Sequence, residues 1–211
     1  MKQYLYKLKN YIQYKINREI GGVFFRQAVK QRPLRIIIGA SRRTQKGWIP
    51  SEEYCLNLLK TEDWRRYFKE NSIDALLAEH VWEHLTKKNG LRAATVCYKY
   101  LKKSGYLRIA IPDGLFPNKN YINHVKPGSN DPDASDHKVL YNYKSISKLF
   151  GKVGFKVHLL EYFDEKGRFH FKKWNKDDGM IYRSKRYDKR NNGRKLNYTS
   201  IVLDATKSEK L

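Results

Sequence analysis

The chain has 211 residues, a length that suits a single domain with a hydrophobic core. Its 44 lysines and arginines against 21 acidic residues give a formal charge of +23, and its 40% apolar residues exclude a disordered polyelectrolyte. Two cysteines, Cys55 and Cys97, are too few for a disulfide framework, and no apolar stretch reaches the roughly 18 residues of a membrane span. We therefore expect a reduced, cytoplasmic protein, with peripheral membrane contact as an alternative.

Residues 1–32 form the first basic block, in which eight lysines and arginines face one acid, Glu19, for a net charge of +7. Apolar residues at three- and four-residue spacing predict an amphipathic helix, which the Gly21-Gly22 pair should interrupt. This N-terminal extension either packs on the surface of the domain at 33–211, which is the commoner case, or adsorbs to an anionic membrane. The apolar residues are Leu5, Leu8, Ile12, Ile16, Ile20 and Val23.

A second basic block runs from Lys166 to Lys195, where twelve basic residues face three acids for a net charge of +9. Five aromatic residues are interleaved with these charges, a mixture that can bind phosphate groups or nucleic acid by charge and stacking. A solvated loop has the same composition. We treat about 164–197 as a basic insertion in the domain.

Strand-like and helix-like segments alternate along the rest of the chain. The predicted strands are 34–38, 73–78, 106–111, 155–163 and 198–205, and the predicted helices are 54–70, 91–101 and 145–153. Ser104-Gly105 should end the second of these helices as a glycine cap. This alternation predicts an α/β fold whose ligand crevice lies beyond the carboxyl ends of the strands.

The residues at the strand ends are similar to those of a known family. The segments LRIIIGAS, GWIPSE, IDALLAEHVWEHL and YLRIAIPDG, in this order, resemble the class I S-adenosylmethionine-dependent methyltransferases. The resemblance spans roughly 34–163 and, with YTSIVLDA, most of the chain. It implies a Rossmann-like, mostly parallel seven-stranded sheet with helices on both faces and a terminal antiparallel hairpin.

The resemblance also implies a set of residues that bind S-adenosylmethionine. Gly39, Ala40 and Ser41 would line the methionine and ribose part, Glu52 would hold the ribose hydroxyls, and Glu79 and His80 would lie beside the cofactor. The family usually has glycine at the position of Ser41, and it rarely has two arginines behind it. Arg42 or Arg43 could pair with the cofactor's carboxylate, provided that neither fills the crevice.

The polar region after the third predicted strand, 118–143, is where an acceptor would meet the methyl group. His124 or His137 could remove the acceptor's proton, with Asp136 orienting an imidazole. Asp113 and Tyr121 are candidate acceptor-binding residues at the same end of the sheet. Arg183 and Arg190, in the second basic block, could hold an anionic part of the acceptor. A surface-loop role is the alternative for each histidine.

His80-Val81-Trp82-Glu83-His84 also fits the H-x-x-E-H pattern of some zinc proteases. That pattern requires both histidines on one helix, whereas His80 directly follows a predicted strand. We therefore expect Glu83 and His84 to orient the crevice wall, and we expect no metal site.

The sequence thus predicts a methyltransferase acting on a small or glycan-linked acceptor, with O-methylation favoured. The alternative is an RNA-binding or RNA-methylating protein, or a methyltransferase-like module without activity, for which the charge of +23 is the support. Nucleic acid is not favoured as the partner, because the charge is concentrated in two blocks. In addition, the segment IDALLAEHVWEHL, which resembles the family's fourth strand and the helix after it, contains no N-P-P-[FY] run of the kind found in amino-directed nucleic-acid methyltransferases.

Overall fold

The computed structural model describes residues 2–191 and 195–208. Among them are the helices α1 (Lys2–Ala28), α2 (Thr61–Tyr67), α3 (Lys87–Tyr100), α4 (Lys119–Val125) and α5 (Tyr143–Val153). The strands are β1 (Arg35–Ile38), β2 (Ile49–Ser51), β3 (Ile73–Glu79), β4 (Leu101–Pro112), β5 (Phe155–Phe163), β6 (Phe169–Phe171) and β7 (Ser200–Lys207). Within these described ranges, no helix has the length and apolar character needed to cross a membrane.

The strands form one seven-stranded sheet in the order β2-β1-β3-β4-β7-β5-β6. Strands β2, β1, β3 and β4 are parallel, whereas β7 is antiparallel to both β4 and β5, and β6 is antiparallel to β5. The predicted sheet with a parallel part and an antiparallel terminal part is therefore confirmed. The last two long strands, β5 and β7, are neighbours, but they are joined by residues 164–199, which include β6.

The two faces of the sheet are covered differently. Ile36 and Ile38 belong to the larger core, which also contains buried residues of α1, α2, α3 and α5. Ile37 points to the opposite face, as alternation along a strand requires, and packs in a smaller core with Trp174 and Ile181 from the connection between β6 and β7. The described core residues of this second face come from strands and connections, so the expected helices on both faces are not confirmed.

Helix α1 differs from the prediction, because it continues through Gly21-Gly22 to Ala28. A Cβ on Gly21 would lie 2.9 Å from the Tyr54 ring and 3.0 Å from Cys55 Sγ, and one on Gly22 would lie 3.2 Å from the Tyr67 hydroxyl. The glycines are therefore points of close packing, and their effect on helix propensity is outweighed by tertiary contact.

The predicted glycine cap after α3 is wrong. The helix ends at Tyr100 and β4 begins at Leu101, so Ser104 and Gly105 lie inside a strand. The register between β3 and β4 shifts here, and Ser104 has a φ of +60°. A Cβ on Gly105 would lie 2.9 Å from the Lys102 carbonyl oxygen, so glycine permits the backbone to fold closely at this irregularity.

The predicted helix 54–70 is reduced to Thr61–Tyr67. Before it, the Leu59 amide donates to Asn57 Oδ1 and the Asn57 amide donates to Asp63 Oδ2, at 2.7 and 3.1 Å. These side-chain bonds satisfy the backbone in a turn and compete with the helix that the apolar spacing predicts.

Both cysteines are free and buried.

Candidate functional site

The loop after β1 has an unusual backbone. Gly39, Ser41 and Arg42 have φ values of +60°, +47° and +66°, a region that glycine adopts readily and other residues seldom do. The loop is held to β2 by the Ala40 amide, which donates to the Ser51 carbonyl oxygen at 2.9 Å. The Arg42 amide donates to Glu52 Oε1 at 3.0 Å, so the loop turns tightly around the first acid after β2.

A cavity of about 310 Å³ opens beside this loop, at the carboxyl ends of β1, β3 and β4. This is the place where α/β sheets bind ligands, and the volume is at the lower end of the range for small-molecule sites. Much of its lining is ionisable. The lining residues are Ile37, Gly39, Ala40, Ser41, Arg43, Gln45, Leu77, Glu79, His80, Glu83, His84, Pro112, His124, Val125, Asp133, Ala134, His137, Arg183, Arg190 and Tyr198.

A second cavity of about 430 Å³ adjoins the first and shares Gly39, His80 and His84 with it. Its other walls are mostly apolar, from Ile38, Leu56, Leu58, Leu59, Val81 and Leu85, with Asn57 and Asp136 among the polar exceptions. Of the two acids after β2, Glu53 lines this cavity, whereas Glu52 lines neither of the two. The resemblance had assigned the ribose hydroxyls to Glu52, whose Oε1 instead accepts from the Arg42 amide, whereas its neighbour Glu53 lines the cavity.

Glu79, at the end of β3, joins two walls of the first cavity. Its Oε1 accepts from the Arg183 amide at 2.6 Å, and its Oε2 lies 2.7 Å from Arg43 Nη1. The Arg43 guanidinium also lies 5.1 Å from the centroid of the Tyr182 ring. Arg43 is therefore fixed at the wall, and the cavity beside Gly39 stays open.

His80, directly after β3, has a φ of +57°, and its side chain is 8% exposed. Its Nε2 lies 3.0 Å from Ser200 Oγ, and the Ser200 hydroxyl donates to the Arg183 carbonyl oxygen at 2.8 Å. Burial, and next the charge of Arg183, hold the pKa of His80 well below its usual value, so the imidazole is neutral. Sequence reasoning missed Ser200, because its contact partner lies 120 residues away.

Glu83 is a buried carboxyl whose side chain is only 1% exposed. His80 Nδ1 lies 2.9 Å from Glu83 Oε1, but without hydrogen-bond geometry, and neither Glu83 oxygen has a hydrogen-bond partner among the described residues. Burial raises the pKa of Glu83 to about 7. Its backbone carbonyl accepts from the Lys138 and Val139 amides, which fixes the segment after His137 beside it.

Both histidines proposed as bases line the first cavity, but their partners differ from the prediction. His124 Nδ1 lies 2.9 Å from Asp131 Oδ2, and His137 Nδ1 donates to the Val125 carbonyl oxygen at 2.8 Å. Asp136, expected to orient one of them, instead lies 2.9 Å from His84 Nδ1. Asp131 is the carboxylate placed to orient His124.

Asp113 and Tyr121 have structural contacts in place of the expected acceptor contacts. Asp113 is fully buried, and its carboxylate accepts from the Leu115 and Phe163 amides at 2.9 and 2.7 Å. The Tyr121 hydroxyl accepts from the Asp113 amide at 2.9 Å. Neither residue lines the two cavities described here, so both stabilise the turn after β4.

The second basic block forms a wall of the site. Arg190 pairs with Asp188 at 2.6 Å and lies 3.4 Å from the Tyr198 ring centroid. Arg183 is held by its backbone at Glu79 and Ser200, and its side chain makes no ion pair within the described part of the chain. Through Arg183 and Arg190 the described part of the block thus contributes to the cavity lining.

Glu161, which the sequence analysis did not single out, anchors this wall. It is fully buried in β5, and its Oε1 accepts from Trp174 Nε1 at 2.9 Å. Its Oε2 accepts from the Lys185 amide and the Thr199 hydroxyl at 2.8 and 2.6 Å. A lone acid within an apolar strand run was the signal available in the sequence.

No protein-family model and no curated protein matches the chain. Among solved structures, 280 chains match. One is a SAM-dependent methyltransferase from Archaeoglobus fulgidus, with 13% identity, coverage of 90% of this chain and 94% of that one, and a TM-score of 0.48. Another, from Thermotoga maritima, is described as a possible histamine N-methyltransferase, with 17% identity, 95% and 96% coverage, and a TM-score of 0.48.

A third, an S-adenosylmethionine-dependent methyltransferase from Mesorhizobium loti, has 9% identity, 82% and 90% coverage, and a TM-score of 0.49. With TM-scores below 0.5 and such low identities, the activity of this chain has to be judged from its own residues.

Proposed function

We propose that the chain is an S-adenosylmethionine-dependent methyltransferase whose acceptor is a small or glycan-linked molecule carrying an anionic group. The single observation that carries this proposal is the pair of adjoining cavities at the carboxyl ends of β1 and β3, bordered by the left-handed loop at Gly39. O-methylation is the favoured reaction, because an imidazole of the cavity lining, that of His124, is a suitable general base for a hydroxyl.

The residues present fit this cofactor. The second cavity offers apolar walls for a flat purine, and the first offers polar groups for the amino-acid part. The loop between them brings backbone close to both cavities, and Arg43 is bound to Glu79 at the wall. Of the acids Glu52 and Glu53, we propose that one holds the ribose hydroxyls, with the other shaping the loop or cavity edge.

The acceptor's charge is proposed from the cationic lining. Arg183 lines the first cavity, and its backbone is fixed there by Glu79 and Ser200. An arginine of this kind suits two parallel bonds to a carboxylate or phosphate. Arg190 is already paired with Asp188 and stabilises the same wall.

The chain's own residues would position the acceptor and remove its proton. When bound, the cofactor supplies an activated methyl group on a sulfonium, so an in-line approach of the acceptor oxygen is the main requirement. His124, with Nδ1 facing Asp131, has its Nε2 available as the base. Glu79 keeps the two walls together and so maintains the distance between the cofactor side and the acceptor side.

Calorimetry with S-adenosylmethionine and S-adenosylhomocysteine tests the cofactor assignment. We expect binding to the native chain, and a loss of about tenfold or more in Glu52→Ala or in Glu53→Ala, because one of these acids would leave a diol unpaired. Glu62→Ala, which removes an exposed acid that lines neither cavity, is the matched control. Absence of heat with both ligands would reject the proposal.

His124→Gln tests the base separately from cofactor binding. We expect methyl transfer to fall by about 10²- to 10⁴-fold with unchanged affinity for S-adenosylhomocysteine. His158→Gln, in β5 and away from the cavity lining, should leave both quantities unchanged. Equal rates for native protein and His124→Gln would remove His124 from the mechanism.

A further inference from the structure

Three side chains of the first cavity form a cluster that the proposed methyl transfer does not use. Potential ligand atoms of Glu83, His84 and His137 all lie within 4.8 Å of one another. The rings of the two histidines are 4.9 Å apart between centroids and nearly perpendicular. His80, which the H-x-x-E-H pattern would include, lies outside this cluster and is replaced by His137 from a distant loop.

The hydrogen-bonding pattern of the cluster suits metal binding. His137 Nδ1 donates to the Val125 carbonyl oxygen, so in the neutral ring the Nε2 lone pair is free. Neither Glu83 oxygen has a hydrogen-bond partner among the described residues, although the side chain is almost fully buried. A buried carboxyl left without a partner is expensive, and a cation would satisfy it.

The cluster is also held in place by the backbone. The Glu83 carbonyl oxygen accepts from the Lys138 amide at 2.7 Å and from the Val139 amide at 3.2 Å, which fixes His137 beside Glu83. Glu83 and His84 are consecutive residues at the end of the short 3₁₀ helix Trp82–His84. The three side chains are therefore brought together by main-chain bonds that need no metal.

From this arrangement we propose that Glu83, His84 and His137 bind a divalent transition-metal ion, with Zn²⁺ as the reference ion, at the edge of the first cavity. Two imidazoles and one carboxylate are a ligand set that such ions prefer over Mg²⁺ or Ca²⁺. Since the cluster lines the cavity, the remaining coordination positions face the space where an acceptor would bind. The proposal does not depend on the proposed methyl transfer.

Metal binding is measured on the untagged, chelator-treated full chain by titration with Zn²⁺ and by the visible absorption of added Co²⁺. We expect one ion per chain and a loss of affinity of at least about tenfold in His137→Ala and in His84→Ala. His124→Ala and His170→Ala, which remove histidines outside the cluster, should bind as the native chain does. Affinity for S-adenosylhomocysteine is measured in parallel, so that failure of the cofactor proposal is recognised separately.

Two results would overturn the metal site. The first is a native chain that binds neither ion. The second is a loss of binding in the His124 and His170 variants equal to that in His84→Ala. Such a result would show adventitious binding to surface histidines. His84 is partly exposed, so its variant keeps the test valid even where the change at the buried His137 prevents folding.

A different observation supports a second proposal, which concerns helix α1. The helix packs on the domain through Gly21, Gly22 and Phe25, and Arg18 of the helix pairs with Asp63 of α2. At about 100° per residue, its apolar stripe falls in a sector of about 120° on roughly the opposite side. These side chains are 43–67% exposed: Leu8, Ile12, Ile16, Ile20 and Val23.

The commoner expectation is that this stripe packs on the domain's own surface. That expectation is wrong, because the helix packs through another face and the stripe is exposed. Lys9, Lys15 and Arg26 are exposed on the same helix, and the sequence of 1–32 has a net charge of +7. An exposed apolar stripe with basic residues within it and at its edge is complementary to an anionic lipid surface. We propose that α1 lies on an anionic membrane with this stripe in the interface, which suits an acceptor carried on a lipid.

Vesicle co-sedimentation of the full chain tests this proposal. We expect binding to vesicles of phosphatidylcholine with about 30% phosphatidylserine, and at least tenfold weaker binding to phosphatidylcholine alone. Ile16→Glu/Ile20→Glu should lower binding at least tenfold more than Asn10→Glu/Gln13→Glu, which adds the same charge outside the stripe.

Equal losses in the two double variants would overturn the membrane proposal, because charge alone would then account for binding. A stable dimer of the native chain that dissociates in Ile16→Glu/Ile20→Glu would also overturn it, since a second copy would then cover the stripe. Sedimentation velocity provides that measurement on the same samples.

Discussion

At the scale of single residues, the loop after β1 contains the clearest departure from the family pattern. Ser41 has a φ of +47° at a position where a glycine is expected from the resemblance. Its side chain is exposed, so it does not fill the cavity that it borders. The serine thus leaves the crevice accessible. It destabilises the protein through its left-handed backbone conformation and not by filling the cavity.

Ser41→Gly should stabilise the protein. A left-handed conformation costs a non-glycine residue roughly 1–2 kcal/mol, and the freedom of glycine in the unfolded chain returns roughly 0.5–1, which leaves a gain of about 0.5–1 kcal/mol. Ser104→Gly, at a φ of +60° in β4, is the matched control and should show a similar gain in urea unfolding. Only Ser41→Gly should change the affinity for S-adenosylhomocysteine.

Arg108, in β4, holds the connection between β6 and β7 against the sheet. Its Nε and Nη2 each lie 2.8 Å from an oxygen of Asp204, and its Nη1 donates to the carbonyl oxygens of Asn175 and Gly179. Arg108→Leu would leave a carboxylate and two carbonyls without their donor, and we expect a loss of about 3–5 kcal/mol in urea unfolding. Lys103→Leu, at an exposed position of the same strand, should change stability by less than about 0.5 kcal/mol. A small effect at Arg108 would contradict the role assigned to this ion pair.

At the scale of elements, glycines in two helices have opposite roles. Gly21 in α1 is in close contact with Tyr54 and Cys55, whereas a Cβ on Gly151 in α5 would meet nothing within 4 Å. Helix propensity alone would predict the same gain from alanine at both positions. The two sites therefore separate propensity from packing.

Gly151→Ala should stabilise the protein by about 0.5–1 kcal/mol in urea unfolding, because alanine is the better helix former. In Gly21→Ala the contact at 2.9 Å should cancel that gain or reverse it. An equal gain at both positions would show that the α1 contact with the domain is loose.

The strands with strong periodicity could be predicted from sequence, and the exceptions have physical causes. The bounds 155–163 of β5 and the β-branched run of β1 follow from local pattern, which burial in the sheet reinforces. Strands β2 and β6 have three residues each, too few to produce a period. The irregularity at Ser104-Gly105 depends on contact with β3, which no local pattern contains.

The sequence could predict the site residues that directly follow strands, but it could not predict the contacts between site residues that lie far apart in the chain. Gly39, Ser41 and His80 were placed at the cavity by their position after predicted strands. The pairing of His124 with Asp131, and the approach of His137 to Glu83, depend on how the loop 118–143 folds. Composition fixes which groups that loop contains, while their partners are set by tertiary structure.

At the scale of the whole molecule, the charge of +23 raises the nucleic-acid alternative. The cationic lining of the first cavity accounts for part of this charge, and the exposed face of α1 for another part. The remaining charge should bind RNA without specificity, through release of counterions.

RNA affinity should therefore fall by at least about tenfold between about 50 and 200 mM salt, whereas affinity for S-adenosylhomocysteine should change by less than about threefold. Fluorescence anisotropy with a labelled single-stranded RNA and calorimetry with the nucleoside provide the two measurements. Tight RNA binding that persists at the higher salt would favour the RNA-methylating alternative.

The two borders of the sheet have a consequence for behaviour at high concentration. One border strand is only three residues long and contains the exposed Pro50, which has no amide hydrogen to offer an incoming chain. The other is equally short and is followed by the exposed Lys172 and Lys173. Both borders are poor templates for growth into fibrils, so concentrated solutions should fail first by self-association of helical surfaces and not by conversion to cross-β aggregates.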